Sequence, residues 1–142
     1  MAELNERAII FPLSNPLTMC ELEFADALEW TKGTVLFASG SPYQPVEYDG
    51  VLRTAGQGNN MFVFPGIGLG SLLCRATSVT DSMIEASALA LADSLTPDEK
   101  AEDLLYPRIA RIRDISAQVA LRVIRTAQKA VSPSYTFLYL AL

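Results

Sequence analysis

A chain of 142 residues, half of them hydrophobic and 19% charged, has the composition of one folded domain of ordinary size and not that of a disordered segment. Its formal charge of −5, from 11 basic and 16 acidic side chains, argues against nucleic acid as a partner. It contains no histidine, which excludes Ser-His-Asp and Cys-His catalysis and removes the commonest metal ligand.

The nearest approach to a basic patch is Arg108, Arg111 and Arg113, with Arg122 and Arg125 on the next helix. Asp114 and the acidic stretch 98–103 dilute it. The two cysteines, Cys20 and Cys74, are far apart, which suits free, partly buried thiols in a reducing, cytoplasmic setting and does not make a zinc site. Met1–Arg7 leads into polar sequence, so no signal peptide is expected at this start. No apolar run approaches the ~20 residues of a membrane span.

Ala8–Leu13 is a short apolar run, β-branched and aromatic at its centre, as a buried parallel strand would be. Ser14-Asn15-Pro16 ends it, with Pro16 biasing Asn15 away from helix. Glu21–Thr31 is predicted as a helix whose apolar side is Leu22, Ala25, Leu28 and Trp30, with Gly33 as a left-handed cap. Thr34–Ala38 is a second buried strand that runs into Ser39-Gly40-Ser41-Pro42. The first forty residues thus predict a β-α-β unit with parallel strands. In open parallel sheets ligands bind beyond the carboxyl ends of the strands, so Asn15, Ser39, Gly40 and Ser41 converge on one expected edge.

Pro45–Leu52 follows as an extended excursion containing Tyr48 and an Asp49-Gly50 turn. Gly56-Gln57-Gly58-Asn59-Asn60 comes next, then the apolar Met61–Phe64. The remainder is helical. Pro65–Ala76 is a glycine-spaced helix, and Asp81–Leu95 is an Ala/Leu-rich one capped by Thr80 or Asp81. Thr96-Pro97-Asp98-Glu99 is a capping box that opens a short helix, stopped by Tyr106-Pro107. Asp114 or Ser116 caps a last helix through Ala130, with Ile115, Val119, Val123 and Ala127 on one face. The predicted fold is α/β: an incomplete Rossmann-like parallel sheet of two or three strands, followed by a helix-rich C-terminal half. Residues 1–131 carry that region, and 132–142 form a divergent apolar tail.

Five segments, in order, resemble the malic enzyme family: I-I-F-P-L-S-N-P (Ile9–Pro16), L-F-A-S-G-S-P-Y-Q-P-V (Leu36–Val46), G-Q-G-N-N-M-F-V-F-P-G-I-G-L-G (Gly56–Gly70), L-Y-P-R-I (Leu105–Ile109) and I-R-D-I-S-A-Q-V-A (Ile112–Ala120). The resemblance spans Ile9 to about Ala130, and 132–142 departs from it. It implies a C-terminal segment of an NAD- or NADP-dependent enzyme that oxidises and decarboxylates malate to pyruvate with Mg²⁺ or Mn²⁺. It places Asn15 at the malate and nicotinamide site and Asn59 and Asn60 against substrate. With Asn15, the loop residues Ser39, Gly40 and Ser41 are candidates for dinucleotide contact. An Asn amide suits this use because it offers two N–H donors and one acceptor without competing for the transferred proton. The residues by themselves favour a plainer reading, with Asn15 in an Asx-turn before Pro16 and Asn59-Asn60 in a turn ahead of a strand.

The family's acid–base Tyr and Lys, its substrate Arg, its acidic metal trio and its dinucleotide phosphate turn lie upstream of the matched segments. None of them is found in this chain, so it is expected to be inactive alone, with no catalytic and no metal-binding residue assigned. Gly66-Ile67-Gly68-Leu69-Gly70-Ser71 imitates a dinucleotide fingerprint, but its third glycine is one place early, and close helix packing explains it better. Glu102-Asp103 imitates a metal pair, but neighbouring side chains diverge around a helix. Tyr106 with Lys32 or Lys100 imitates the acid and base, although their flanks match other family segments.

An alternative is a stand-alone descendant of the fold, begun naturally at Met1. It would serve as a binding or assembly module or as a small pocket-shaped isomerase or cyclase. Either way the exposed half-sheet calls for cover, and a homo-oligomer or other association across the sheet edge is expected.

Overall fold

The computed structural model describes residues 3–14 and 16–130, with the backbone alone for Leu17. The sequence reading of Asn15 and of the 132–142 tail therefore lies outside the described residues. In chain order the elements are β1 (Ile9–Ile10), a 3-10 turn (Leu17–Met19), α1 (Phe24–Trp30), β2 (Leu36–Ser39), β3 (Val46–Tyr48), β4 (Val51–Arg53) and β5 (Gly56–Gln57). A second 3-10 turn (Asn60–Phe62), α2 (Phe64–Leu73), α3 (Asp81–Asp93), α4 (Pro97–Ala101), a third 3-10 turn (Ile109–Arg111) and α5 (Ile112–Ala130) complete it.

The single domain expected from length resolves into two compact units. One comprises Met1–Asn59 with Leu95–Arg108, the other Asn60–Ser94 with Ile109–Leu142.

The first unit holds a parallel sheet in the order β1-β2-β5. This is the incomplete Rossmann-like sheet that the sequence predicts. Ile9 and Ile10 pair with Leu36 and Phe37, and Ala38 and Ser39 pair with Gly56 and Gln57. The first strand is shorter than the predicted Ala8–Leu13, because Pro12 has no N–H to give the ladder. Its backbone still follows β2: the Leu36 N–H donates to Ala8 O (2.9 Å) and the Gly40 N–H to Pro12 O (3.2 Å). Met61–Phe64 is not a strand, since residues 60–62 form a 3-10 turn and Phe64 opens α2. The third strand is instead Gly56–Gln57, a segment to which the sequence assigns no element. Gly56 can lie this close because a Cβ there would stand 3.3 Å from that of Ala38.

Helix α1 buries Phe24, Ala27 and Leu28, at the i, i+3, i+4 spacing of one helical face. This corrects the predicted face: Ala25 is exposed and Trp30 is 66% exposed. The expected cap is present. Gly33 has φ +76° and donates its N–H to Leu28 O at 2.8 Å. Phe24 stacks on Phe37 with ring centres 4.9 Å apart, in a cluster that includes Val35 and is flanked by Tyr43, Val46 and Tyr48. The 45–52 excursion is an antiparallel hairpin of β3 and β4. Asp49 (φ 51°) and Gly50 (φ 71°) both lie in the left-handed region, as a two-residue turn of the hairpin type requires.

The Tyr43 hydroxyl donates to Cys20 Sγ (3.0 Å) and Leu22 O (3.2 Å). Burial, then the Cys20 contact, pushes the Tyr43 phenol well above the usual tyrosine range. The folded state therefore holds this proton more tightly than the unfolded chain. That contribution is complete below the ordinary tyrosine pKa of ~10 and is lost as pH rises past it. Tyr43→Phe is expected to cost about 1 kcal/mol near neutrality. It should also flatten the alkaline limb of a urea-midpoint series measured across pH.

Residues 95–108 are tied to the strands of the first unit by Asp103, which pairs with Arg7 and Arg53, and are held together internally by Glu99. Thr96 and Glu99 form the predicted capping box, with the Thr96 N–H donating to Glu99 Oε2 at 2.9 Å. The carboxylate is 2% exposed, and its other oxygen accepts the Arg108 N–H at 2.9 Å. Glu99→Gln keeps the shape but turns an amide toward one of two backbone donors. A loss of about 2 kcal/mol is expected in chemical denaturation.

In the second unit, α5 buries Ile115, Val119 and Val123 completely, and Ala127 is half-buried on the same predicted face. Thr80 caps α3 by accepting the Met83 N–H. No helix among the described residues is long and apolar enough to cross a membrane.

Candidate functional site

All three parallel strands of the first unit end at one edge, and backbone hydrogen bonds tie their ends together. Beyond the Pro12–Gly40 bond, the Gly58 N–H donates to Ser39 O at 2.8 Å. The Asn59 Nδ2 donates to Gly40 O at 3.5 Å, and the Ser41 N–H to Ser39 Oγ at 3.3 Å. The central loop Ser39-Gly40-Ser41 is thereby held on both sides, by the segment after β1 and by the segment after β5. Ser39 is fully buried and Ser41 is 7% exposed, because the loop is packed between its two neighbours.

Gly40 is required by close approach. A Cβ at this position would lie 2.5 Å from the carbonyl oxygen of Leu13. Gly58 answers a second contact, since a Cβ there would meet the Tyr106 ring at 3.2 Å. That ring also stands edge-on to Phe11, with centroids 6.2 Å apart. Tyr106 thus packs against both the β1 segment and the segment after β5. From sequence Tyr106 is a helix stop with Pro107 and a mock catalytic acid, and neither reading predicts its packing under Gly58.

The loop after β1 has its own anchor. The Ser14 hydroxyl donates to Glu21 Oε1 at 2.5 Å. This bond, followed by one from the Glu21 backbone N–H, holds the exposed Glu21 carboxyl below the usual carboxylate range. The tie is present above that range and breaks as pH falls through the lowered pKa. It fixes the residue immediately before Asn15.

Of the residues selected from sequence, Ser39, Gly40, Ser41 and Asn59 come together at this edge. Asn59 is half-buried. Asn60 is exposed and opens the second unit, where its carbonyl accepts the Val63 N–H at 3.1 Å.

The glycine run 66–70 lies wholly inside α2. Gly66 faces Ser116 and Val119 of α5, and Gly70 faces Ala120 and Val123. The run is a helix-packing surface, so it does not form a phosphate-binding turn between a strand and a helix. Glu102 and Asp103 part company: Glu102 pairs with Arg108, and Asp103 with Arg7 and Arg53. Among the described residues no three His, Cys, Asp or Glu side chains converge to hold a metal ion. The donors needed for Mg²⁺ or Mn²⁺ are therefore not assembled there. Small residues crowded at parallel strand ends do suit the approach of a dinucleotide.

Comparison with known proteins gives a consistent result. The family model for malic enzyme, NAD binding domain, matches residues 1–128. NADP-dependent malic enzyme 3 of Arabidopsis thaliana is 48% identical over 123 residues, which cover 87% of this chain and 21% of that protein. The NADP-dependent malic enzyme of Dictyostelium discoideum is 46% identical over 127 residues, covering 89% and 23%. That of Populus trichocarpa is 46% identical over 123 residues, covering 87% and 21%. The chain therefore spans little more than a fifth of the length of these relatives.

Proposed function

Proceeding from the premise that this chain belongs to the malic enzyme family and carries part of its NAD-binding domain, we propose that it supplies one wall of a malate and nicotinamide pocket. The observation that carries this reading is the tied edge of the parallel sheet, where Ser39, Gly40, Ser41 and Asn59 meet. In the relatives' chemistry NADP takes the hydride from malate. The residues here bind and orient and do not transfer protons. Gly40 lets the strand ends close up, and the small loop lets a ring approach the backbone. Asn59, steadied by the Gly40 carbonyl, presents an amide that donates to a carboxylate or hydroxyl without titrating. Asn15, beside the Ser14–Glu21 tie, serves the same pocket, and Asn60 is the remaining substrate-side candidate.

The chain alone does not complete the oxidative decarboxylation of malate. Losing one transition-state donor typically costs ~10²–10³ in rate. Here the acid, the base and the metal ligands that the family resemblance requires have no counterpart in the sequence. The exposed row Ile9, Phe11 and Leu13 along the β1 edge is covered by association with further polypeptide, in this reading a second copy. Free thiols at Cys20 and Cys74 suit a reducing cytoplasm.

The test is a calorimetric titration of the full chain with NADP, NAD and L-malate in the presence of Mn²⁺, together with a watch for reduced cofactor. Dinucleotide binding weakened about fivefold by Asn59→Ala is expected, the loss of roughly one hydrogen bond. Absence of binding by either dinucleotide at millimolar concentration would sink the pocket. Cofactor reduction above background would sink the claim of inactivity.

A further inference from the structure

The parallel strands are fastened at their amino ends as well as at their carboxyl ends. Arg7, just ahead of β1, donates its Nε–H to the carbonyl of Thr34, just ahead of β2, at 3.4 Å. The same guanidinium pairs with one carboxylate oxygen of Asp103. The other oxygen lies 3.9 Å from Nη1 of Arg53, which precedes β5. Asp103 has φ 63°, a left-handed backbone that Asp tolerates better than most residues. Exposed ion pairs contribute little to stability. What sets this one apart is the stretch of chain it begins.

Residues 103–106 run on from the ion pair along β5. Leu104 is 5% exposed, and its N–H donates to Glu99 O at 2.9 Å. A Cβ at Gly56 would lie 3.6 Å from the Leu105 nitrogen, and one at Gly58 would lie 3.2 Å from the Tyr106 ring. That ring also meets Phe11, just after β1. The strap thus starts at the amino ends of the strands and finishes at their carboxyl ends, beside Asn59. Every residue of it, and every residue it touches, belongs to the first unit.

We propose that Asp103 is a positioning residue for the site at the carboxyl ends of the strands. By anchoring the strap to Arg7 and Arg53 it sets where Tyr106 presses on Gly58, and hence how Asn59 is presented to a ligand. This rests on the reading of that edge as a wall of a malate and nicotinamide pocket. The coupling is mechanical. The strap is three peptide steps long, at most about 11 Å, and it lies against the bare backbone of Gly56. Packed chain of that kind has little slack and passes a displacement on. Without the carboxylate, the two guanidiniums it joins would repel each other and release the strap at its starting end.

The experiment is a double-mutant cycle on the full chain with Asp103→Asn and Tyr106→Ala. It is read by residue-resolved amide exchange in the ligand-free protein and by titration with NADP. Asn adopts the left-handed backbone as readily as Asp, so the first change removes the charge and keeps the conformation. Asp103→Asn should speed exchange of the Gly58 and Asn59 amides about fivefold and leave the Thr31 amide of α1 unchanged. NADP affinity should fall about threefold. With Tyr106→Ala already in place, Asp103→Asn should alter neither readout, because the strap no longer reaches Gly58. Arg7→Gln removes the partner of the carboxylate and should reproduce Asp103→Asn. If Tyr106→Ala does not fold, Tyr106→Leu replaces it in the cycle. Additive effects, or acceleration that includes Thr31, would overturn the proposal and leave Asp103 a stabilising ion pair only. Absence of NADP binding by the parent chain would remove the pocket reading, and the exchange cycle, read without ligand, would still decide the coupling.

Discussion

Gly40→Ala should destabilise the first unit by about 3 kcal/mol and loosen the strand ends that build the candidate site. The added methyl would stand 2.5 Å from the Leu13 carbonyl oxygen and 3.0 Å from its carbon. Both are backbone atoms, so no side-chain rotation relieves the contact. Overpacking of a well-filled site typically costs 1–3 kcal/mol, with the upper end reached when the neighbour is rigid. Separation of the two segments also stretches the Gly40 N–H bond to Pro12 O, and with it the neighbouring Gly58 N–H bond to Ser39 O. The check is urea unfolding followed by emission of Trp30, the single tryptophan, which lies in this unit. Exchange of the Gly40 and Gly58 amides should accelerate ahead of the rest of the sheet. A variant as stable as the parent would mean that the Pro12–Leu13 segment yields freely.

The second large effect is a contrast between two glycines of one helix. Gly66→Ala should cost about 2–3 kcal/mol, whereas Gly68→Ala should gain about 0.5–1 kcal/mol. Both changes gain roughly the same helix propensity, up to ~1 kcal/mol. They differ in what the methyl meets. At Gly66 it lies 2.5 Å from Val119 Cβ, 2.6 Å from its Cγ1 and 2.8 Å from Ser116 O. At Gly68 nothing stands within 4 Å. Valine is stiff at χ1 and Ser116 presents backbone, so α2 and α5 must move apart. Thermal melts followed by circular dichroism should place the two variants on opposite sides of the parent. If Gly66→Ala also stabilised, the reading of this glycine run as a packing surface would fail.

Signals carried by a few adjacent residues were legible in the sequence. Gly33 capped α1, Asp49-Gly50 turned a chain reversal, and Thr96 with Glu99 formed a capping box. Each depends on backbone conformation and short-range hydrogen bonds, which residue type largely dictates. The glycine spacing of α2 was read as close packing for the same kind of reason. Of the predicted apolar side of α1, Leu28 is buried and Leu22 packs against the core, whereas Ala25 and Trp30 are exposed and Phe24 and Ala27 are buried instead. Only the partner surface, Phe37 and its neighbours, distinguishes them. The third strand was missed because Gly56-Gln57 has neither the length nor the composition of a strand, and it becomes one only by pairing with β2.

The candidate site divides along the same line. By itself the sequence determined that small and amide-bearing residues follow each parallel strand, which is a matter of residue identity and order. The tertiary structure decided that Ser39 and Ser41 are buried as a tie between strand ends, and that Tyr106 supports Gly58. It also decided that Asp103 fastens its segment to Arg7 and Arg53 and that Asn59 and Asn60 fall in different units. These contacts join residues far apart along the chain, or divide immediate neighbours. Their geometry is set by which surfaces exclude water together, a property of the packed chain that no local pattern encodes.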